Sequence, residues 1–508
     1  MQEPISNNKR IAKNTMMLYI RMLLSVAVSL YTSRVILEVL GVEDYGLYGV
    51  VGGIVAMFSF LNASMAGATS RFLTFELGKG NYLRLKDTFA SALIIHIGIA
   101  LVVLVCAESI GLWFLYNKLV IPDGRMCAAH WVYQCSVISA ILGITQCPYN
   151  ALILAHERMG VYAYIEILSV LLRLVSVYLL TIFDFDKLKL YAVLVLLVSS
   201  LVMMIYRIYC IKNFSESRFK FIFNKNIIKP MLSFTCWDFY GNMCVTSRIQ
   251  GTNFLINNFF GVIANASSNI ATTVNGVLKG FASNIINAFR PRIIKYYSQQ
   301  NWCEMQSMIN NAIKFSTLLL VVLTLPIILE TSYIINLWLG EVPDFVVPFV
   351  RLTLISQCIE TINLVIVICI HATGKIKRIS LLTGTLFLLT IPISYICLRA
   401  GCDITVVYVV NLVSNIIIVL LNLSILKTQV IEIDILSIFK VMATVVLVAT
   451  LTLILSLIVY HVVPLGFYRL VVVTISVIIA MAFFTYFIAL NTNQRDYVKE
   501  FIKNKLHY

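Results

Sequence analysis

The triplet Thr-Ser-Arg occurs twice in apolar surroundings, within "YTSRVI" from Tyr31 and within "VTSRIQ" from Val245, 214 residues later. Each copy carries a permanent guanidinium, Arg34 or Arg248, into a stretch that reads as membrane-embedded. Arg21, Arg173, Arg207, Lys279, Lys314 and Arg351 fall in similar stretches. A lone cation at the bilayer centre costs roughly 2.5–3.5 kcal/mol on insertion scales, so such residues mark binding sites or ion pathways unless they can reach the interface. Arg207, Lys314 and Arg351 lie near expected span ends, where snorkelling is the simpler reading. Arg21 lies about seven residues, or ~10 Å, into the first span. Arg248 sits beside Thr246, Ser247, Gln250 and Asn253, and Lys279 beside Asn275 and Ser283. Arg21, Arg34, Arg248 and Lys279 therefore form the candidate cationic set. For Arg34, close to the outer end of its span, an interface anchor is the competing reading.

Acidic residues in the same stretches are fewer. Asp238 precedes Arg248 by about 15 Å of helix, too far for a direct pair, and is expected to meet a first-span arginine or a coupling cation. Glu166 and Arg173, seven residues apart, share one helix face. Glu360 is a candidate proton site. The 12 cysteines are scattered without metal-ligand spacing and read as packing residues. No phosphate-binding loop of the G-x-x-x-x-G-K-[ST] type is present, so ATP hydrolysis is not expected, and neither a metal nor a cofactor is implied. The chemistry on offer is binding and ion coupling, with no catalytic grouping.

The elements that position these residues follow from composition. The chain of 508 residues is 60% hydrophobic and 12% charged, with a mean hydropathy of +0.89. A helix needs about 20 apolar residues to cross roughly 30 Å of hydrocarbon, and such runs recur almost without pause. The reading is an all-α polytopic membrane protein with about fourteen spans. They are expected near 15–37, 46–68, 88–112, 128–148, 161–183, 188–210, 231–258, 262–286, 311–331, 347–370, 379–398, 404–426, 440–461 and 468–490. The seventh and eighth are polar and expected to face water or protein. The basic N-terminal tail lacks a cleavage site after it and reads as the lead-in to a retained first span.

Of the 39 Lys and Arg, 25 fall on the side shared with the N-terminus and six on the other when these spans are applied. The positive-inside rule places both termini in the cytoplasm. This asymmetry accounts for most of the +15 net charge without nucleic acid.

Aligning the two triplets also brings their downstream residues into register. Gly46 and Gly261 open the next span, which runs into a basic loop carrying Asn81-Tyr82 in one copy and Asn301-Trp302 in the other. "NALILAHERM" and "NLVIVICIHATGKIK" correspond further on. Spans one to six map onto seven to twelve as a parallel repeat, with substrate expected between the halves. The domains are expected at 1–213, 214–430 and 431–508, the last holding two extra helices and a cytoplasmic tail.

The opening "NTMMLYIRMLLSVAVSLYTSRVILEVLGVEDYGLYGVVGGIVAMFSFLNASMAGATSRF" resembles that of bacterial Wzx-type O-antigen and polysaccharide flippases. These belong to the multidrug/oligosaccharidyl-lipid/polysaccharide (MOP) exporter superfamily. The matching features are an arginine in span one, "SRVILEVLGVEDYGLYG" at the first outer turn, and a small-residue run ending in Arg71. The resemblance implies two pseudo-symmetric six-helix bundles around a central cationic cavity, plus two C-terminal helices, in the bacterial inner membrane. It implies as substrate an undecaprenyl-diphosphate-linked oligosaccharide, moved by alternating access. Polysaccharide polymerase and chain-length machinery are the further partners it suggests, alongside membrane lipids. Arginine suits a diphosphate because it binds phosphate oxygens bidentately. The rival expectations are a cation-coupled multidrug exporter of the same fold, which would favour an acidic cavity, and a polytopic polymerase or ligase, which would need larger outer loops.

Overall fold

The structure, a computed structural model, describes residues 16–28, 31–32, 35–36, 39–41, 44, 47–48, 51, 59–117, 121, 124–183, 185–218, 224–340, 342–492 and 494–496. Arg34, Gly46, both chain ends and much of the first outer turn lie outside the described residues.

Helices account for nearly all of it. The first are α1 (Met16–Val28), α2 (Ser59–Lys79) and α3 (Tyr82–Asn117). Then come α4 (Met126–Ala155), α5 (Met159–Ile182), α6 (Lys187–Asn213) and α7 (Lys225–Ser298). Next are α8 (Trp302–Leu329), α9 (Thr331–Leu339), α10 (Val346–Thr373) and α11 (Lys377–Arg399). Last are α12 (Val406–Gln429), α13 (Ile435–Val462) and α14 (Phe467–Ala489).

Among the described residues, ten of these helices are long and apolar enough to cross a membrane: α3 to α6, α8 and α10 to α14. They coincide with the expected spans three to six and nine to fourteen. The protein is a multi-pass, all-helical membrane protein. Its two compact units are Met1–Phe239 and Tyr240–Tyr508, with the boundary inside α7.

Polar caps punctuate the apolar helices. Asn81 and Asn301 start α3 and α8 with nearly identical backbones, φ −89°, ψ 82° and φ −88°, ψ 81°. Each side chain accepts a hydrogen bond from the amide three residues on, Arg84 or Glu304. Just before them, Gly80 and Gln300 are left-handed, and the amides of 80, 81, 300 and 301 bond back to Leu77, Glu76, Tyr297 and Tyr296. This is one and the same helix-ending turn used twice, at the two places where the sequence pattern repeats. After α4 and α10, left-handed Glu157 and Gly374 mark the second correspondence.

α7 holds the expected spans seven and eight in one helical run of 74 residues. A straight helix of that length would extend about 110 Å. Ser268 Oγ nevertheless donates to Asn253 Oδ1 at 3.0 Å, across fifteen residues that a straight helix would hold about 22 Å apart. The helix is therefore bent sharply between them. α3 carries a π-helical turn, Ala107–Gly111, whose freed carbonyl of Ala107 accepts the fully buried Tyr133 hydroxyl at 2.7 Å.

Two apolar cores in the first unit centre on Leu73, Phe89, Leu152 and Val202, and on Val132, Tyr133 and Leu188. In the second, Ile256, Leu320, Phe349 and Leu354 form one core, and α8 packs on α13 and α14 through Val321, Leu325, Val448 and Val477.

Candidate functional site

In the second unit the candidate charges converge. Arg248 on α7 is 8% exposed; its Nη1 donates to Asn415 Oδ1 on α12 at 2.9 Å, and its guanidinium lies 4.3 Å from the ring centre of Phe387 on α11. The Asn415 amide in turn donates to Ser356 on α10 at 2.8 Å. Lys279, also on α7, donates to Glu360 Oε1 on α10 at 2.7 Å. Glu360 is within electrostatic reach of both Lys279 and Arg248. Two cations thus share one carboxylate, and the group keeps one net positive charge.

Sequence spacing explains the arrangement. Ser356, Glu360 and Asn363 stand at i, i+4 and i+7, one face of α10. Asn415 and Asn422 stand seven apart on α12 and meet that face at a constant offset: Asn415 donates to Ser356, and Asn422 donates to Asn363 Oδ1 at 2.8 Å. Thr383 of α11 donates to Asn422 Oδ1 at 2.9 Å. Aliphatic neighbours on these helices hide the polar stripe from a hydropathy reading, but the seven-residue spacing of the two asparagines is a signal that could have found it.

The first unit holds a second cluster. Arg21 Nη1 donates to Tyr162 Oη at 3.3 Å, with its guanidinium 5.2 Å from the same ring. Glu166, one turn along α5, accepts from the buried Tyr206 hydroxyl of α6 at 2.9 Å. Arg173 shares the helix with Glu166 but is exposed, in electrostatic reach of Tyr48. Asp238 is half-buried on α7.

The snorkelling reading of Lys314 is corrected. Lys314 is 5% exposed, twelve residues into α8, and donates to the carbonyl of Ala489 at 2.7 Å, at the end of α14. Arg351 Nε donates to the carbonyl of Ile328 at 2.9 Å. Both donate to backbone carbonyls near helix ends, which for the buried Lys314 replaces a reach to the interface. Arg207 donates to Thr145 at 3.4 Å with Tyr149 beneath it.

A charge pair absent from the candidate set is nearly closed off from solvent, with Glu330 1% and Arg469 8% exposed. Arg469 on α14 grips Glu330 at the end of α8 with two bonds, Nε to Oε1 at 2.6 Å and Nη2 to Oε2 at 2.8 Å. In the sequence each lies at a span edge and passes for a loop residue. At another helix-end network, Arg125 bonds both Asp44 and Asp186, drawing the starts of α4 and α6 together.

No protein-family model and no curated protein matches the chain. Solved structures do match its fold. A MATE transporter in its bent conformation aligns with a TM-score of 0.72 at 14% identity, covering 83% of this chain and 96% of that one. An outward-facing multidrug resistance MATE family transporter of the MOP superfamily aligns at 0.69 and 13%, with the same coverage. A MOP superfamily transporter from Pyrococcus furiosus, described as having a binding pocket of reverse polarity that suggests a different function, aligns at 0.69 and 12%, again over 83% and 96%. The chain shares the fold of MATE transporters of the MOP superfamily.

Proposed function

We propose that the protein is an alternating-access exporter whose cargo carries an anionic headgroup, an undecaprenyl-diphosphate-linked oligosaccharide moved across the bacterial inner membrane. The observation that carries this reading is the Arg248–Lys279–Glu360 group, which keeps a net positive charge within the apolar helices of the second unit. Asn415 and Phe387 fix the guanidinium of Arg248, which leaves it a preset donor fork for phosphate oxygens. Glu360 serves as the resident counter-ion. An incoming diphosphate displaces it from Lys279, so that no step leaves the ammonium without an anion in a low-dielectric setting. On cargo release Glu360 returns. A proton taken up by Glu360 while displaced gives one route to ion coupling, and Asp238 and Glu166 are the other candidate coupling sites. Arg21 extends the cationic set in the first unit.

The second reading is a cation-coupled multidrug exporter, and the fold likeness fits it at least as well, since one relative in fold is itself a multidrug resistance transporter. The Glu166–Tyr206 pair would then bind or titrate in place of the cationic set. The fold tolerates pockets of opposite polarity, as the Pyrococcus furiosus relative is described.

Reconstituted vesicles separate the two. Arg248→Gln combined with Lys279→Gln/Glu360→Gln, which removes the ion pair together rather than stranding one partner, is expected to slow translocation of lipid-diphosphate sugar at least tenfold. Efflux of a lipophilic cation should be unchanged. Undiminished sugar-lipid movement in that variant would remove the cationic site from the mechanism, and a parental protein that moves no sugar-lipid while driving cation efflux on a proton gradient would give the second reading.

A further inference from the structure

A cavity of about 340 Å³ opens where the end of α8, the short α9 and the turn between α13 and α14 meet, lined by Glu330, Ser332, Tyr333, Asn336, Tyr460 and Arg469 with aliphatic side chains around them. Its size falls within the roughly 300–1,000 Å³ typical of small-molecule sites. Its floor is the bidentate Glu330–Arg469 pair, and Glu330 is 1% exposed. The Arg469 guanidinium lies 4.2 Å from the ring centre of Tyr460. Ser332 and Asn336, exposed and four residues apart on one face of α9, stand at the rim.

The charges of the floor cancel, so the cavity offers no net attraction to a phosphate or to a cationic drug. What it does offer is a set of neutral donors and acceptors: an amide, a serine hydroxyl and two phenols. Two aromatic rings supply apolar surface with polar tips. The ligand that uses both is a ring with C–H faces and a fringe of hydroxyls that each donate and accept. We propose that this cavity is a saccharide subsite, taking one neutral sugar ring of a glycan. Its physiological role rests on the glycan reading above. The positive-inside orientation puts this end of the second unit away from the cytoplasm, so the subsite holds the sugar on the side to which it is delivered.

Saturation-transfer NMR on the full chain in phosphatidylethanolamine–phosphatidylglycerol nanodiscs tests this, with methyl hexosides, methyl N-acetylhexosaminides and methyl hexuronides as probes. Glycerophosphoethanolamine serves as a headgroup control. At least one neutral glycoside is expected to bind in the millimolar range, and Asn336→Leu and Tyr333→Ala are each expected to weaken it at least tenfold. Asn336 is an exposed position on α9, so that variant should keep the parental Tm, and Glu330 and Arg469 are left in place. Absence of saturable binding by every glycoside, indifference to both substitutions, or equal competition by the headgroup control overturns the proposal. The cargo reading fails separately. If Arg248→Gln with Lys279→Gln/Glu360→Gln moves sugar-lipid normally while glycoside still binds, the cationic site is wrong and the cavity stands. If that variant is inactive and no glycoside binds, the cavity alone is wrong.

Discussion

At Gly111 a single methyl group would collide with the hydroxyl of Tyr133, the same hydroxyl that satisfies the carbonyl of Ala107 in the π-helical turn. Gly111→Ala is therefore expected to cost about 1–3 kcal/mol, as overpacking generally does. Tyr133→Phe should cost a similar amount by leaving a buried carbonyl without its donor. Because the second change also removes the colliding atom, the two together should cost less than their sum, which thermal unfolding of the three variants in detergent would show. A titratable contact outside the membrane spans gives a second prediction. Burial pushes the carboxyl of Glu216 up, but a 2.6 Å hydrogen bond with His156 Nε2, with further help from Ser215 and the charge of His156, outweighs this and holds it below the usual range. A depressed carboxyl stabilises the fold above its unfolded pKa of about 4.3 and loses that contribution as pH falls through the folded value. The Tm gap between the parent and Glu216→Gln should be widest near pH 7, persist to below pH 4.3, and close under more acid conditions. A gap that does not change with pH would remove the linkage. Arg248, Lys279 and Glu360 were legible as odd charges in oil, whereas Asn415 and Ser356 were not, since a neutral amide or hydroxyl barely lowers the hydropathy of an apolar run.

At the scale of helices, α13 and α14 are fastened to α8 at both ends. Gln306 and Asn310 bond Asp434 and Ser437, and Lys314 and Asn311 meet Ala489 and Gln494, while Glu330 holds Arg469 at the far end. Cutting a buried ion pair on one side strands a charge, so Glu330→Gln should destabilise by roughly 3–5 kcal/mol. Glu330→Leu with Arg469→Met, which removes both charges and restores apolar volume, should recover most of that loss. Denaturation midpoints of the single and double variants decide it, and equal losses would mean that packing rather than charge fastens the hairpin. Ten helices were readable because length and apolarity alone specify a span. The α7 pair was harder, because its polar residues make contacts with protein that a hydropathy scale scores as water. The caps at Asn81 and Asn301 were visible only as repeated letters. Their shared geometry shows that the letters encode one turn.

For the whole molecule, the expected orientation can be checked with probes the chain already carries. Cys127 and Cys402 are exposed beside turns expected outside the cytoplasm, and Cys303 is exposed beside a turn expected within it. In single-cysteine variants, a membrane-impermeant maleimide applied to intact cells should label the first two, and should reach Cys303 only after permeabilisation. The opposite pattern would invert the topology inferred from 25 against six basic residues. Charge asymmetry is additive along a chain, so the sequence alone carries an expectation of orientation, whereas cargo depends on how a few side chains converge. The paired amides between α10 and α12 bear on how the molecule is assembled. Helices that enter the bilayer separately must find each other without a hydrophobic drive between them. With donors at 415 and 422 and acceptors at 356 and 363, sliding one helix by a turn, about 5.4 Å, breaks both bonds at once and leaves four polar groups in oil. The two asparagines thus act as a vernier, admitting one alignment of α10 against α12 and rejecting its neighbours, and with that alignment they fix where Glu360 stands relative to Arg248.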